Sequence, residues 1–170
     1  TKDVVVRGQR FYDATTNIYP GDFSVQSGLI GSETLTFGGS NDTFSTMVAD
    51  ESGFTTVSLS NVVLADGSNG GLAANYNLSS ADFQIQKRPL AVQVQRQYDG
   101  AATFSSTDDV FFEFQTMSSP PSNLVGRTGV GLETLSLTGT GTTSGSASNA
   151  GSYDVSGFTL ADGTAASSNY

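Results

Sequence analysis

The chain lacks cysteine, histidine and tryptophan, and only 14% of its 170 residues are charged. Without Cys and His it cannot form a Ser-His-Asp or Cys-His nucleophile system, or an ordinary zinc site. Lysine and arginine number seven against 16 aspartates and glutamates, which gives a net charge of −9. Nucleic acids and anionic membranes bind to clustered basic residues, so neither is expected as a partner.

The sequence also shows no signal-peptide pattern and no apolar run of 18 residues, so we expect no membrane insertion. Its 20 glycines and many serines and threonines cover surface that charged residues cover in most globular proteins. Hydrophobic residues make up 36% of the chain, which is enough for two modest cores. A composition rich in Thr, Ser, Gly and Asn, with no Cys and little Lys, is typical of bacterial surface proteins. We therefore expect an extracellular location, at the cell surface or secreted.

Several short sequence motifs, which we call words, occur twice, in the same order and about 85 to 100 residues apart. The variable spacing indicates loops of different length around a shared framework, and a unit of this size is large enough for its own core. The repeated words are Tyr12-Asp13 and Tyr98-Asp99, Glu33-Thr34-Leu35 and Glu133-Thr134-Leu135, Leu64-Ala65-Asp66-Gly67 and Leu160-Ala161-Asp162-Gly163, and Asn75-Tyr76 and Asn169-Tyr170.

The repeat predicts two domains, residues 1–86 and 87–170, of which the first is a divergent copy. We expect the second to lack its closing strand, because nothing in it corresponds to the segment around Phe83 and Ile85. No Gly/Ser linker separates the copies, and Pro89 restricts the junction. This junction indicates either a stiff rod or a connection of no functional consequence.

Apolar and polar residues alternate with a period of two in residues 83–86 and 90–95, and less regularly in 54–60 and 153–160. Such segments, cut by Gly, Asn, Asp and Ser, are typical of short antiparallel strands with one buried face. The best helical segment, residues 70–75, is too short and too rich in glycine for more than one turn. The sequence predicts an all-β chain of two tandem small antiparallel β-sandwich (Ig-like) modules. The alternative is β-grasp-like modules with a short helix.

Few patterns in the chain support a reaction. Glu33 and Glu133 could form the carboxylate pair of a glycosidase, but we interpret them as strand residues that recur because the domain recurs. The glycines of residues 139–141 and Gly145 resemble a phosphate-binding loop. They lack its Lys and its following helix, so we predict a flexible hairpin tip there. We expect no enzymatic activity and no cofactor.

Three acidic clusters could offer oxygen ligands to calcium, but none has the one-three-five spacing of a calcium-binding loop. We interpret them as solvated turns. They are Asn41-Asp42, Asp50-Glu51 and Asp108-Asp109. Tyr19 could stack on a sugar, although half-buried packing is the commoner role of such a ring.

The Tyr-Asp word has a structural explanation. The Asp side chain accepts hydrogen bonds from backbone N–H groups two residues further on, and a following Gly permits positive φ, so Asp99 and Gly100 predict a tight turn. The Tyr98 ring would close one end of a thin core, with its hydroxyl at the rim. Tyr12 and Asp13 would have the same roles in the first copy.

The repeated words also resemble a known family. In the second copy, Lys87, Tyr98-Asp99-Gly100, Gly126, Gly151, Tyr153 and Asn169-Tyr170 follow in the order of the YDG repeat domain and its MBG relatives. The first copy departs from this order, because Ala14 replaces the Gly and Phe54 stands in place of Tyr153. These domains occur in tandem in large secreted adhesins of the filamentous-haemagglutinin type. The resemblance implies stalk or adhesive modules and carries no catalytic residues.

We therefore expect tandem extender modules of a bacterial adhesin that space a distal binding domain and contribute to adhesion or biofilm. The expected partners are neighbouring repeats of the same chain, and we expect a monomer. The alternative is a module that binds a glycan or matrix ligand through aromatic and amide side chains at its loop tips. Exposed Tyr and Asn around a groove on one module only would favour that alternative.

Overall fold

The structure is a computed structural model that describes residues 1–50, 52–78, 81–107, 109–114, 130–146 and 148–170. The chain divides into two compact units, unit 1 (Thr1–Arg88) and unit 2 (Pro89–Tyr170). This division lies two residues beyond the one expected from the repeat. In the described residues the helical elements are four 3-10 turns of three residues each, and strands form the rest of the regular structure. The prediction of an all-β chain is confirmed.

Unit 1 is built around a four-stranded sheet with the order β4-β2-β10-β7, accompanied by the two-stranded ladders β1–β9, β3–β6 and β5–β8. Its 3-10 turns are Pro20–Asp22 and Ala73–Asn75, and the second is the single turn predicted in residues 70–75. The strands are β1 (Lys2–Asp3), β2 (Val5–Phe11), β3 (Asn17–Ile18), β4 (Phe23–Ser27), β5 (Leu35–Gly39), β6 (Asp42–Thr43), β7 (Thr55–Val57), β8 (Val62–Asp66), β9 (Tyr76–Asn77) and β10 (Ala81–Gln86).

Two strand pairs of unit 1 are parallel, so the expectation of purely antiparallel pairing is wrong there. β10 lies beside β2 over six residue pairs, from Ala81 opposite Val6 to Gln86 opposite Phe11, and β1 is parallel to β9. Antiparallel neighbours are usually joined by a short hairpin, whereas parallel neighbours need a long crossover. Here almost the whole unit separates β2 from β10 in sequence, so no hairpin dictates their direction.

β10 forms the centre of the core of unit 1. Its residues alternate as the sequence predicts, with Ala81, Phe83 and Ile85 at most 2% exposed. The Phe83 ring packs against Phe23 and Phe44, with ring centroids 5.6 and 5.5 Å away. Gly8 on β2 makes room for these rings, because a Cβ at Gly8 would lie 2.6 Å from atoms of both Phe23 and Phe83.

Unit 2 contains an antiparallel pair, β11–β13, and a three-stranded sheet of order β12-β14-β15. Leu135, Leu137 and Ala165 are buried and form its core cluster. The 3-10 turns of this unit are Ser144–Ser146 and Ser167–Asn169. The strands are β11 (Leu90–Gln95), β12 (Thr103–Ser105), β13 (Asp109–Phe114), β14 (Leu135–Thr143) and β15 (Val155–Asp162).

The glycines of residues 139–141 lie inside β14 and do not form a hairpin tip, so that prediction is wrong. The pairing of β14 with β15 shifts between Gly139 and Thr142, which marks a bulge. A Cβ at Gly141 would lie 2.2 Å from the ring of Phe158. Glycine is therefore needed here for close packing and for the bulge. Gly145 does lie in a turn, the one that follows β14.

Candidate functional site

The repeated Glu and Tyr residues meet in each unit and form what we call the Glu–Tyr contact. The Tyr76 hydroxyl donates a hydrogen bond to the Glu33 carboxylate and accepts one from the Ile30 N–H at 3.2 Å. The hydrogen bond to Glu33 raises the pKa of the Tyr76 hydroxyl. In unit 2, the Tyr170 hydroxyl donates to Glu133 Oε2 at 2.5 Å. Each glutamate thus has a tyrosine partner within its own unit.

The repeated Thr and Gly residues meet at the same end of one antiparallel strand pair in each unit, β5–β8 in unit 1 and β14–β15 in unit 2. In unit 1, Ser68 N–H donates to the Thr34 hydroxyl oxygen at 2.7 Å. The backbone passes so close that a Cβ at Gly67 would lie 2.1 Å from the Thr34 carbonyl oxygen. The corresponding distance in unit 2, from Gly163 to the Thr134 carbonyl oxygen, is 2.3 Å. Glycine recurs in the Leu-Ala-Asp-Gly word because a side chain does not fit there.

The Asp of the same word caps the turn that follows it. Asp66 Oδ1 accepts a hydrogen bond from the Ala73 N–H at 2.8 Å. Asp162 Oδ1 accepts two from Ser167, one from its N–H and one from its hydroxyl, both at 2.7 Å. These bonds hold the pKa of Asp162 below its ordinary value. Leu-Ala-Asp-Gly is therefore a turn-forming word.

The Tyr-Asp word is bound to an arginine that was not among the predicted site residues. Asp13 Oδ1 accepts the Thr15 N–H at 2.9 Å, which is the turn contact expected of this residue. Arg10 Nη1 donates to the same oxygen at 2.5 Å, and its Nη2 donates to the Thr15 carbonyl at 2.7 Å. The guanidinium thus closes the turn from both sides, and we call this the Arg–Asp turn.

Unit 2 has the same Arg–Asp turn. Asp99 Oδ1 accepts the Ala101 N–H at 2.9 Å, while Arg96 donates to the Asp99 carboxylate and to the Ala101 carbonyl. The Ala101 N–H and the Arg96 charge hold the pKa of Asp99 below its ordinary value. The signal for this contact was present in the sequence, because Arg precedes Asp by three residues in both copies.

The residue after each Asp has positive φ, 79° at Gly100 and 60° at Ala14. Positive φ is favourable for glycine and strained for alanine. The divergent first copy therefore keeps the turn of the second copy, although it lacks the glycine.

The two tyrosines of the Tyr-Asp words have different environments. Tyr12 is buried at 3% exposure, as expected, whereas Tyr98 is 68% exposed. The prediction that Tyr98 closes a core is therefore wrong for the described residues. In unit 1, the Tyr12 N–H donates to the Gln86 carbonyl and Arg88 donates to the Tyr12 carbonyl, so the end of β10 holds this segment in place. In the described part of unit 2, no strand has the position of β10.

Asp42 is buried, at 6% exposure, so the interpretation of Asn41-Asp42 as a solvated turn is wrong for it. Its Oδ2 accepts the N–H groups of Ser60, Asn61 and Val62 at 2.9 to 3.0 Å. Burial by itself raises the pKa of the Asp42 carboxyl group. The hydrogen bonds from Val62, Asn61 and Ser60 outweigh this effect and hold that pKa below its ordinary value. The carboxylate is an internal anchor for the start of β8.

The other candidate ligand residues do not converge. Among the residues that the structure describes, no group of three acidic side chains is placed to hold a metal ion. Asp50 is exposed and accepts the Ser52 N–H, while Glu51 and Asp108 lie outside the described residues. Tyr19 is half-buried, and its hydroxyl accepts a hydrogen bond from Asn17.

Comparisons with known proteins add no relative. No family model matches the chain, and no curated protein or solved structure gives a significant match. In the described residues, no helix has the length and apolar character needed to cross a membrane.

Proposed function

We propose that the chain consists of two tandem Ig-like β-sandwich modules that serve as extender units of a secreted or surface-bound bacterial adhesin. They space a distal binding domain from the cell, contribute to adhesion or biofilm, and catalyse no reaction. The resemblance to YDG and MBG domains leads to this proposal, and the pairing of β2 with β10 is the observation that carries it.

The β2–β10 pair lies where tension along the chain would act on unit 1. Tension enters β2 at Val5 and leaves β10 at Gln86. Because the strands are parallel, these two points lie at opposite ends of one ladder of six residue pairs. Pulling them apart shears all the hydrogen bonds of the ladder together, whereas an antiparallel hairpin pulled from its open end loses its bonds one at a time. This geometry suits a module that must stay folded under load.

The repeated side chains also support a structural role. The Glu–Tyr contact, the Arg–Asp turn and the Leu-Ala-Asp-Gly turn are each made within one unit. The fold of the module thus accounts for the recurrence of these words, and none of them is left over to bind a shared ligand.

Force spectroscopy on the full chain, pulled from its two ends, tests the proposal. Gln84→Pro removes a backbone N–H from the middle of β10. Val62→Ala weakens the core at a residue that is 2% exposed and lies outside the β2–β10 pair, and it is the matched control. We expect Gln84→Pro to lower the unfolding force of unit 1 by roughly half and Val62→Ala to lower it far less, because forced unfolding reports the unfolding barrier. If Gln84→Pro and Val62→Ala lower the unfolding force equally while they lower the free energy of unfolding equally, the proposed role of the ladder is contradicted.

A second candidate function, glycan or matrix binding, is favoured by one feature of unit 2. Tyr98, Tyr153 and Asn149 border a small cleft of 130 Å³, and both tyrosines are exposed. Aromatic faces with nearby amides suit sugar rings. In unit 1 the residue corresponding to Tyr98, Tyr12, is buried, so the feature belongs to one module only.

Glycan and matrix-protein arrays separate the two functions. The chain and its Tyr98→Ala/Tyr153→Ala variant would be applied in parallel. The extender proposal predicts the same background signal from both proteins. Saturable binding that the double variant loses would instead show that unit 2 is a binding module.

A further inference from the structure

Val92 of unit 2 is exposed, whereas the corresponding residue of unit 1 is buried. Counted back from the tyrosine of each Tyr-Asp word, Val92 corresponds to Val6. Val6 is 1% exposed and lies beside Ala81 of β10, whereas Val92 is 42% exposed. A strand edge with uncovered valine normally binds another strand or has charged residues that prevent pairing.

A cleft of 930 Å³ opens beside this edge. Its apolar lining comes from both sheets of unit 2, and one wall carries the side chains around Val92. The core cluster of Leu135, Leu137 and Ala165 lies below it. The apolar residues that line the cleft include Leu90, Val92, Val94, Leu137, Phe158 and Leu160.

We propose that this cleft is the acceptor groove for one further β-strand, which lies parallel to β11 and completes unit 2 as β10 completes unit 1. A strand joined to the chain after Tyr170 would enter this groove. In the corresponding place of unit 1, Tyr76 is followed by four residues, 77–80, and then by β10. The Tyr170 ring packs against the core cluster and its hydroxyl is bound to Glu133, so the chain arrives at the groove as it does in unit 1.

The register of unit 1 gives the pattern of the incoming strand. Ala81, Phe83 and Ile85 of β10 point inward, and the residues between them are polar. In unit 1 the Tyr12 N–H bonds to the Gln86 carbonyl, so every second residue before it on β2, Gly8 and Val6 included, presents its backbone groups to β10. The corresponding residues of β11 are Val94 and Val92, and β13 already occupies the other edge of that strand. Apolar residues at alternate positions provide the affinity of such strand addition.

The middle inward residue should be smaller in unit 2 than in unit 1. Phe83 fits only because Gly8 lies beneath it. The residue corresponding to Gly8 in unit 2 is Val94, whose side chain lines the cleft. The groove should therefore prefer Val or Ile to Phe at this position. This preference distinguishes specific binding of the strand from non-specific hydrophobic association, which would favour the larger Phe.

The test extends the full chain after Tyr170 with a copy of residues 77–86 that carries Phe83→Val. The control extension has serine in place of both that valine and Ile85. Residue-resolved hydrogen exchange then follows the amides of Val92 and Val94. We expect the apolar extension to slow their exchange by at least about tenfold relative to the control, and the copy with Phe to protect them less.

Two results would overturn the proposal. One is equal exchange at Val92 and Val94 in all three extended chains, and the other is equal protection by the serine control. A synthetic peptide of the apolar segment, added to the unextended chain, gives a second measurement. It should protect the same two amides at high concentration, because the groove exists before the strand is joined to it. Protection elsewhere but not at these amides would place the peptide on a different surface and reject the acceptor groove.

Discussion

At the scale of single residues, buried or clustered polar side chains hold the turns of both units. Asp13 and Asp99 could be predicted from the sequence, because an Asp turn is local and needs only the next two residues. Asp42 could not, because its donors lie 18 to 20 residues further along the chain. Nothing in a sequence shows which loop will return to cover a carboxylate.

Asp42→Asn tests this anchor. The amide oxygen of the variant can replace Oδ2, but its NH2 group would then face Asn61 Nδ2, which donates to Oδ1 in the structure. The three backbone N–H groups also lose a charged acceptor, so we expect a loss of about 2–3 kcal/mol of unfolding free energy at pH 7. Chemical denaturation measures it. Asp50→Asn is the control, because Asp50 is exposed and the amide oxygen can still accept the Ser52 N–H. Equal small losses in both variants would show that Asp42 is not an anchor.

The same residue predicts a pH dependence. The pKa of Asp42 is lowered by folding, so its contribution is fully present above the unfolded value of 3.8 and is lost as the pH falls through the lower folded value. The Asp42→Asn variant has no ionisable group at this position, so its stability lacks this pH-dependent contribution at every pH. The stability difference between the two proteins should narrow as the pH falls below about 4. A difference that stays constant down to pH 2 would contradict the lowered pKa.

The residue after each Asp gives a reciprocal pair of predictions. Ala14→Gly should stabilise unit 1 by about 0.5–1 kcal/mol, because it relieves a side chain held at positive φ. Gly100→Ala should destabilise unit 2 by about 1 kcal/mol for the same reason. Thermal unfolding of both variants measures the two shifts. Shifts of the same sign would contradict the shared turn.

At the scale of strands and turns, period-two alternation located β10 and β11, and the Tyr-Asp words located one turn in each unit. The parallel partner of β10 was missed, because alternation shows which face of a strand is buried and not which strand lies beside it. The glycines of residues 139–141 were missed for a related reason. Glycine in a loop and glycine beneath a ring such as Phe158 have the same letter, and only the packing distinguishes them.

Gly67→Ala tests the end of the β5–β8 strand pair at which Thr34 and Gly67 meet. The added Cβ would lie 2.1 Å from the Thr34 carbonyl oxygen, where only backbone movement can relieve the clash. We expect a loss of about 1–3 kcal/mol, seen as a lower melting temperature. Gly21→Ala is the matched control, because a Cβ at Gly21 meets nothing within 4 Å. A similar loss in the control would contradict the close approach as the cause, because the entropy of the unfolded chain changes in the stabilising direction when Gly is replaced by Ala.

At the scale of the whole molecule, the chain carries two versions of one framework. The Glu–Tyr contact, the Arg–Asp turn and the close packing of a glycine against a threonine carbonyl recur in both units. Unit 1 has a central strand that buries Phe83 and Ile85. In the described residues of unit 2 no strand takes that place, and the cleft remains. Two observations thus support the proposed extender role. The β2–β10 ladder of unit 1 would resist tension along the chain, and the recurrence of the framework supports a tandem arrangement.

Native-state hydrogen exchange on the unmodified chain tests most directly whether the shared framework is closed in unit 1 and open in unit 2. Corresponding amides of the two units serve as internal controls. We expect strong protection of Val6 and Gly8, which lie beside β10 in the sheet, and exchange at least about a hundredfold faster at Val92 and Val94. The amides of residues 135–138 that bond to β15 should remain protected and show that this unit is folded. Equal protection of Val6 and Val92, and of Gly8 and Val94, would contradict a closed first module beside an open second one.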